Sequence, residues 1–336
     1  MSIVDTVTLR LADAEMCLFA GKSLTDSLYV FPVDLLLTGE LGAGKTTFLR
    51  GMAAGFGIEG PVTSPTFALE QRYKTASGRE FLHLDLYRLR SNQAADVLMG
   101  SMDHDGVRCI EWADRLTSFP DGSRILLDFA EKDSGRSLTV SFEDIPLPST
   151  EDITRWQHDM RLPAHVITHS AVVTDVALTL ADHLLSRGTI VRRLALERAA
   201  QLHDLLRFID FRPHTTPAGI SHTKEEYEAW NAIGQAFPDM NHEKACATFL
   251  EQRGFSELAS IILCHGVKYF HPLYATIEQK LLFYADKRAT DHVVTLEERF
   301  QEFVGRYGPG SKQFSHQWRD QALTIERELF PDGAPI

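Results

Sequence analysis

Two apolar rhythms divide the chain. In the first part, short runs of strand length recur. Val33-Asp34-Leu35-Leu36-Leu37-Thr38 is one. It leads into a glycine-rich turn and then a helix carrying Phe48, Leu49 and Met52, which Gly55-Phe56-Gly57 stops. Phe81, Leu82, Leu84 and Leu86 make a second buried strand, and Val107 to Trp112 a third. Arg124 to Asp128 and Ser137 to Phe142 alternate with period 2 around Asp133-Ser134-Gly135, which predicts a hairpin. Residues 8–30 read as an amphipathic helix and a loop, and Pro61 to Phe67 as a loop running into Leu69 and Tyr73. From His169 onward the rhythm changes. Val172, Val173, Val176, Ala177, Leu180, Ala181, Leu184 and Leu185 form an i, i+3, i+4 stripe that ends at Gly188. Leu196, Ala199, Ala200 and His203 are in register on the next helix, and residues 165–310 are almost entirely helix-patterned. The Pro-bearing polar stretch Glu143 to Asp152 marks a boundary.

The fold class expected is an α/β domain, mainly parallel sheet with a hairpin, followed by an all-α domain. The divisions are 1–145, a linker over 146–163, a helical domain over 164–310, and a C-terminal helix (Gln317 to Leu329) and tail within 311–336. Arg192-Arg193 is expected in a solvated loop.

At 336 residues the chain suits two cores. A net charge of -12 argues against a bare polyanion-binding surface, so any RNA would be held by a partner. Cys17, Cys109, Cys246 and Cys264 are scattered without a C-x-x-C, which suits inert thiols in a reducing cytosol. Asp5, Asp13 and Glu15 leave no basic n-region for a signal peptide. No apolar run approaches the ~18 residues of a membrane span. The expectation is a cytoplasmic protein with no membrane contact.

The first candidate site is the turn Gly39-Glu40-Leu41-Gly42-Ala43-Gly44-Lys45-Thr46 between strand and helix. Glycines let backbone N–H groups turn inward around phosphate oxygens, and the helix N-terminus adds positive potential there. Lys45 can reach terminal phosphates and the Thr46 hydroxyl can ligate Mg²⁺. Asp85 ends its strand where open parallel sheets place ligand groups, and an acid there can order a Mg²⁺ shell. Thr66 could face the metal, although a turn threonine is the plainer reading of that residue alone. Glu111 could order water or metal and Trp112 could cover a base; a strand-end carboxylate and a core indole fit equally well.

This order of segments resembles the TsaE family, the small ATPase of tRNA threonylcarbamoyladenosine biosynthesis. The match spans about residues 30–142 and rests on GELGAGKTTFLRG, VTSPTF, HLDLYRL and IEWADRL. The resemblance implies a P-loop domain binding ATP through Gly42, Gly44, Lys45, Thr46 and Thr47, with Mg²⁺ near Thr46 and Asp85. It implies Thr66 as a switch threonine, with Glu111 and Trp112 beside the nucleotide. It also implies ATP hydrolysis driving turnover of a complex with TsaD and TsaB, which modifies adenosine 37 of tRNAs.

The helical half offers His169, His203, Asp204, His242, His265 and Asp286 at inward positions. Buried ionisable groups need a common partner. Imidazole with carboxylate suits Mn, Fe, Co, Ni or Zn, and such an ion makes a nucleophile of bound water near neutral pH. The set in the order H…HD…H…H…D, with the tail Leu281 to Arg288, resembles the HD superfamily of metal-dependent phosphohydrolases. That resemblance implies a first metal on His169, His203, Asp204 and Asp286. His242 and His265 would help hold a second, Asp204 could bridge, and the substrate would be a nucleotide phosphate. Leu205-Leu206-Arg207 follows the pair where the superfamily often has a small residue and Lys. The rivals are an ATP-sensing docking module, a P-loop small-molecule kinase, and a metal-free helical docking domain. The other histidines (His104, His158, His183, His214, His222, His271, His292, His316) are expected on the surface or in packing.

Overall fold

The computed structural model describes residues 3–132, 135–211, 221–307 and 312–336. They form two compact units. One comprises Met1–Ile145 with Leu184–Arg193, the other Pro146–His183 with Leu194–Ile336.

In the first unit β1 (Asp5–Leu11), α1 (Ala14–Leu24), β2 (Val33–Gly39), α2 (Lys45–Gly55), β3 (Glu70–Lys74), β4 (Glu80–Asp85), α3 (Ser91–Gly100), β5 (Val107–Glu111), β6 (Arg124–Lys132) and β7 (Gly135–Glu143) follow one another. They make one seven-stranded sheet in the order β1-β7-β6-β2-β5-β4-β3. β2 runs parallel to both β5 and β6, and β4 runs parallel to β5. β1, β3 and β7 pair antiparallel with their neighbours. A central strand covered on both faces reads as a continuous apolar run, which is why β2 and β5 were legible. β1 was not: it runs into the stretch 8–30 expected to be helix and loop, with Val7, Leu9 and Leu11 buried and Thr6, Thr8 and Arg10 exposed, the period of an edge strand. The helix of that stretch starts only after Asp13, whose side chain caps it by accepting from Met16 N at 2.8 Å. β3 likewise replaces an expected loop. The β6–β7 hairpin pairs Phe129 with Leu138; the expected turn residues Asp133 and Ser134 lie outside the described residues.

Arg192 overturns the solvated-loop expectation. It is fully buried, makes two 2.6 Å bonds to Asp144, donates from Nε to the Ser27 carbonyl at 2.8 Å, and stacks on Phe142 at 4.2 Å. A planar guanidinium met bidentately can be buried where a lone charge cannot. Arg192→Met strands a buried carboxylate, so a loss of about 3 kcal/mol is expected in a denaturant titration of the full chain. Most of it should return when Asp144→Leu is added. A loss near zero in the single variant would mean that Asp144 finds water instead.

The second unit is helical: α4 (Thr150–Asp159), α5 (Ala164–Ser186), α6 (Arg193–Leu202), α7 (Lys224–Gly234), α8 (His242–Glu251), α9 (Ser256–Leu263), α10 (Ile277–Lys287), α11 (Leu296–Tyr307) and α12 (Lys312–Leu329). The last residues of α5 and the first of α6 are counted with the first unit. α4 corrects the expected linker. Ser149 and Asp152 form a capping box, and buried Trp156 meets Phe249 edge-on at 5.4 Å, so this segment is part of the core. α5 also corrects an expectation, since its 23 residues have the length and composition of a membrane span. Its buried stripe (Val173, Val176, Ala177, Leu180, Ala181) is that of a core helix. α12 begins five residues before the expected Gln317. His214 lies outside the described residues.

Candidate functional site

The glycine-rich turn joins the end of β2 to the start of α2. Gly39 has φ +125°, and a Cβ there would lie 2.3 Å from the Phe129 carbonyl oxygen. Gly42 has φ +82°, so both positions need glycine. The resulting cavity of about 270 Å³ is walled by Leu41 to Thr47 and by Ser64, Thr66, Asp85, Tyr87, Glu111 and Trp112. Gly39 shapes the loop but does not line the cavity. Lys45 Nζ donates to the carbonyls of Gly39 (2.6 Å) and Glu40 (2.8 Å) and sits 4.0 Å over the Trp112 ring. Burial lowers the Lys45 pKa, and the carboxylates of Glu111, Asp114 and Asp85 oppose that shift.

β4 and β5 present the two acids. Asp85 Oδ2 accepts from Ser64 (2.6 Å) and Thr66 (2.5 Å), and Oδ1 from the Tyr87 amide (3.0 Å). Glu111 Oε1 accepts the Thr46 hydroxyl at 2.7 Å and lies 2.9 Å from His83 Nε2. Tyr87 and Trp112 stand 4.8 Å apart. A helix N-terminus, one cation, a threonine hydroxyl and two carboxylates suit a phosphate chain with a hard divalent ion.

The second unit gathers all six expected metal ligands. His169 comes from α5, His203 and Asp204 follow α6, His242 opens α8, His265 follows α9, and Asp286 lies on α10. They form two triads, His169, His203 and Asp286 beside Asp204, His242 and His265, with the donor atoms of each within 4.8 Å of one another. Asp204 faces both. Its Oδ2 is 4.0 Å from His169 Nε2 and 3.8 Å from His203 Nε2; its Oδ1 is 3.1 Å from His242 Nε2 and 3.8 Å from His265 Nε2. Two donors on one ion, each about 2.1 Å away, lie at most about 4.2 Å apart, so these spacings fit. Backbone carbonyls of Thr290, Ala200 and Ile262 engage Nδ1 of His169, His203 and His265, which turns each Nε2 toward the cluster. His203 Nε2 is buried with no hydrogen-bond partner among the described residues, a cost that a metal would remove.

A family model described as "Threonylcarbamoyl adenosine biosynthesis protein TsaE" matches residues 11–138. The curated TsaE of a Nostoc strain is 34% identical over 148 residues, covering 42% of this chain and 90% of the relative. That of Haemophilus influenzae is 32% identical, covering 41% and 90%. The chain belongs to the TsaE family. A crystal structure of Bacillus subtilis YdiB also aligns at 26% identity, over 42% of this chain and 88% of that one, with a TM-score of 0.33. The TsaE match begins in β1, upstream of where the motifs start, and stops before every residue of the second-unit cluster.

Several site residues escaped the reading of the TsaE motifs and of the histidine order. Ser64 and Tyr87 lie inside quoted motifs but carry no signal separating them from turn and core residues. His83 gains meaning only when β4 pairs with β5. Asp210, which accepts from His242 Nδ1 at 2.5 Å, and Lys287, bonded to Asp286, are also disclosed only by folding.

Burial and Arg207 both lower the His242 pKa, but bonds to Asp204 and Asp210 outweigh them and raise it to about 9. Burial lowers those of His203 and His265. Above the ordinary histidine range those two rings are bare whether the chain is folded or not, while folded His242 keeps a proton its unfolded counterpart has lost. The metal-free second unit should therefore hold the full His242 contribution below about pH 6.5 and lose it by about pH 9, on the order of 3 kcal/mol. Chelator-treated protein melted across that window should show a falling Tm, and His242→Gln should flatten the fall.

Proposed function

We propose that this chain binds and hydrolyses Mg·ATP at the loop 39–46 in tRNA threonylcarbamoyladenosine biosynthesis. It would act in the cytoplasm with TsaD and TsaB, meeting tRNA through that complex. The observation that carries the reading is the glycine-wrapped cavity in which Lys45, Thr46, Asp85 and Glu111 converge. Names of the curated relatives support the pathway. Amides of Gly42 to Thr47 and the Lys45 ammonium bind the phosphate chain. Thr46 and Asp85 are the residues that would hold Mg²⁺, which would supply charge neutralisation at the phosphates. Thr66 and Glu111 orient the attacking water, and Trp112 covers the nucleotide. Catalysis is positioning and charge stabilisation.

The second unit, on this proposal, is an HD-type phosphohydrolase for a nucleotide phosphate. His169, His203, Asp204 and Asp286 would hold one ion and His242, His265 and Asp204 another. Divalent Mn, Fe, Co, Ni or Zn there supplies Lewis acidity and an activated water. Arg207 and Lys287 flank the cluster and balance substrate phosphate charge.

The test is ATP turnover by the full chain, alone and with TsaD and TsaB, together with rescue of a TsaE-depleted strain. The full chain is needed because truncation near residue 150 would strip Asp144 of Arg192. Rescue by the unaltered chain but not by Lys45→Ala supports the reading. Binding of ATP without turnover under any condition would favour a sensing module, and transfer to a small acceptor a kinase.

A further inference from the structure

His83 does not line the cavity, yet the one side-chain hydrogen bond it makes among the described residues leads there. It lies on β4 two residues before Asp85, with a side chain wholly buried, and its Nε2 is 2.9 Å from Glu111 Oε1. The same oxygen accepts the Thr46 hydroxyl at 2.7 Å, with Glu111 Oε2 a longer second acceptor at 3.0 Å. The other ring nitrogen, Nδ1, is buried with no hydrogen-bond partner among the described residues. Only one proton placement avoids a stranded N–H: the proton sits on Nε2, donated to Glu111, and Nδ1 is bare.

We propose that His83 is a positioning residue that sets the cation-binding face of Thr46. This rests on the P-loop reading above. A threonine hydroxyl has one hydrogen and two lone pairs. With the hydrogen fixed on Glu111, the lone pairs of Thr46 Oγ1 are left for a divalent cation in the cavity. Glu111 has a flexible side chain, and the buried donor from His83 is what pins Oε1 at that point. Glu111 is thereby held as the orienting acceptor of Thr46. A histidine placed only to fill β4–β5 space would leave cation dependence untouched when replaced by an apolar residue.

The test is calorimetric titration of the full chain with ADP, in EDTA and in Mg²⁺, for the unaltered protein, His83→Leu and His83→Gln. ¹⁵N NMR of the unaltered chain reports the tautomer. The expected result is unchanged affinity in EDTA and a loss of about tenfold in the magnesium-dependent gain for His83→Leu. His83→Gln, whose amide N–H can reach Glu111, should recover most of it. The His83 ring should carry its proton on Nε2. A folded His83→Leu protein with an undiminished magnesium gain overturns the role of His83 alone. Should that variant not fold, a ring protonated on Nδ1 overturns it equally. An unaltered chain that binds no ADP in either condition sinks the P-loop reading and this inference with it.

Discussion

Asp204→Ala is expected to strip the second unit of bound transition metal, where the unaltered chain should hold about two ions. Among the described residues, Asp204 is the one carboxylate that faces both histidine groups, with Oδ2 on one side and Oδ1 on the other. Its pKa lies well below the usual carboxylate range. Burial resists that shift, but His203, Arg207 and His242 overcome it. Its removal would leave any bound ion with mainly neutral imidazoles. Asp210→Ala should be milder: it removes only the acceptor that orients His242, for a loss of about 10–100-fold in affinity at one position. Metal analysis after purification decides the matter, with circular dichroism to confirm that both variants are folded. Full metal content in Asp204→Ala would mean that Asp204 is not a needed ligand, and no metal in the unaltered chain would mean that the cluster is held together by hydrogen bonds alone.

Lys45→Ala should lower ATP turnover by about 10³-fold and weaken ATP binding as well. Lys45 is the sole cationic side chain among the residues lining the cavity, which also contains Asp85 and Glu111. Without it a triphosphate meets two carboxylates and only backbone amides. Single-turnover kinetics at saturating ATP separates the loss in binding from the loss in rate. A drop below about tenfold would place the phosphate tail elsewhere.

The phosphate loop was legible because its backbone demands glycine at fixed spacing, a constraint written in consecutive residues. The gathering of His169, His203, Asp204, His242, His265 and Asp286 was legible because each falls on, or just past, the inward line of a helix. What escaped depends on residues remote in sequence. Arg192 reads as a surface pair until Asp144, 48 positions away, meets it. The link from His83 to Glu111 exists only through the pairing of β4 with β5, which sets His83 opposite Cys109. Prolines at 146 and 148 suggested a linker, but Ser149 just beyond them caps a helix whose Trp156 is core.

The resting place of Lys45 on the Trp112 ring has an optical consequence. The chain has four tryptophans, and the other three, Trp156, Trp230 and Trp318, are buried in the second unit. An ammonium 4.0 Å from an indole perturbs its excited state, and phosphates that draw the ammonium away remove that perturbation. Emission at this one indole thus offers a label-free readout of occupancy in the first unit, built into the unmodified chain.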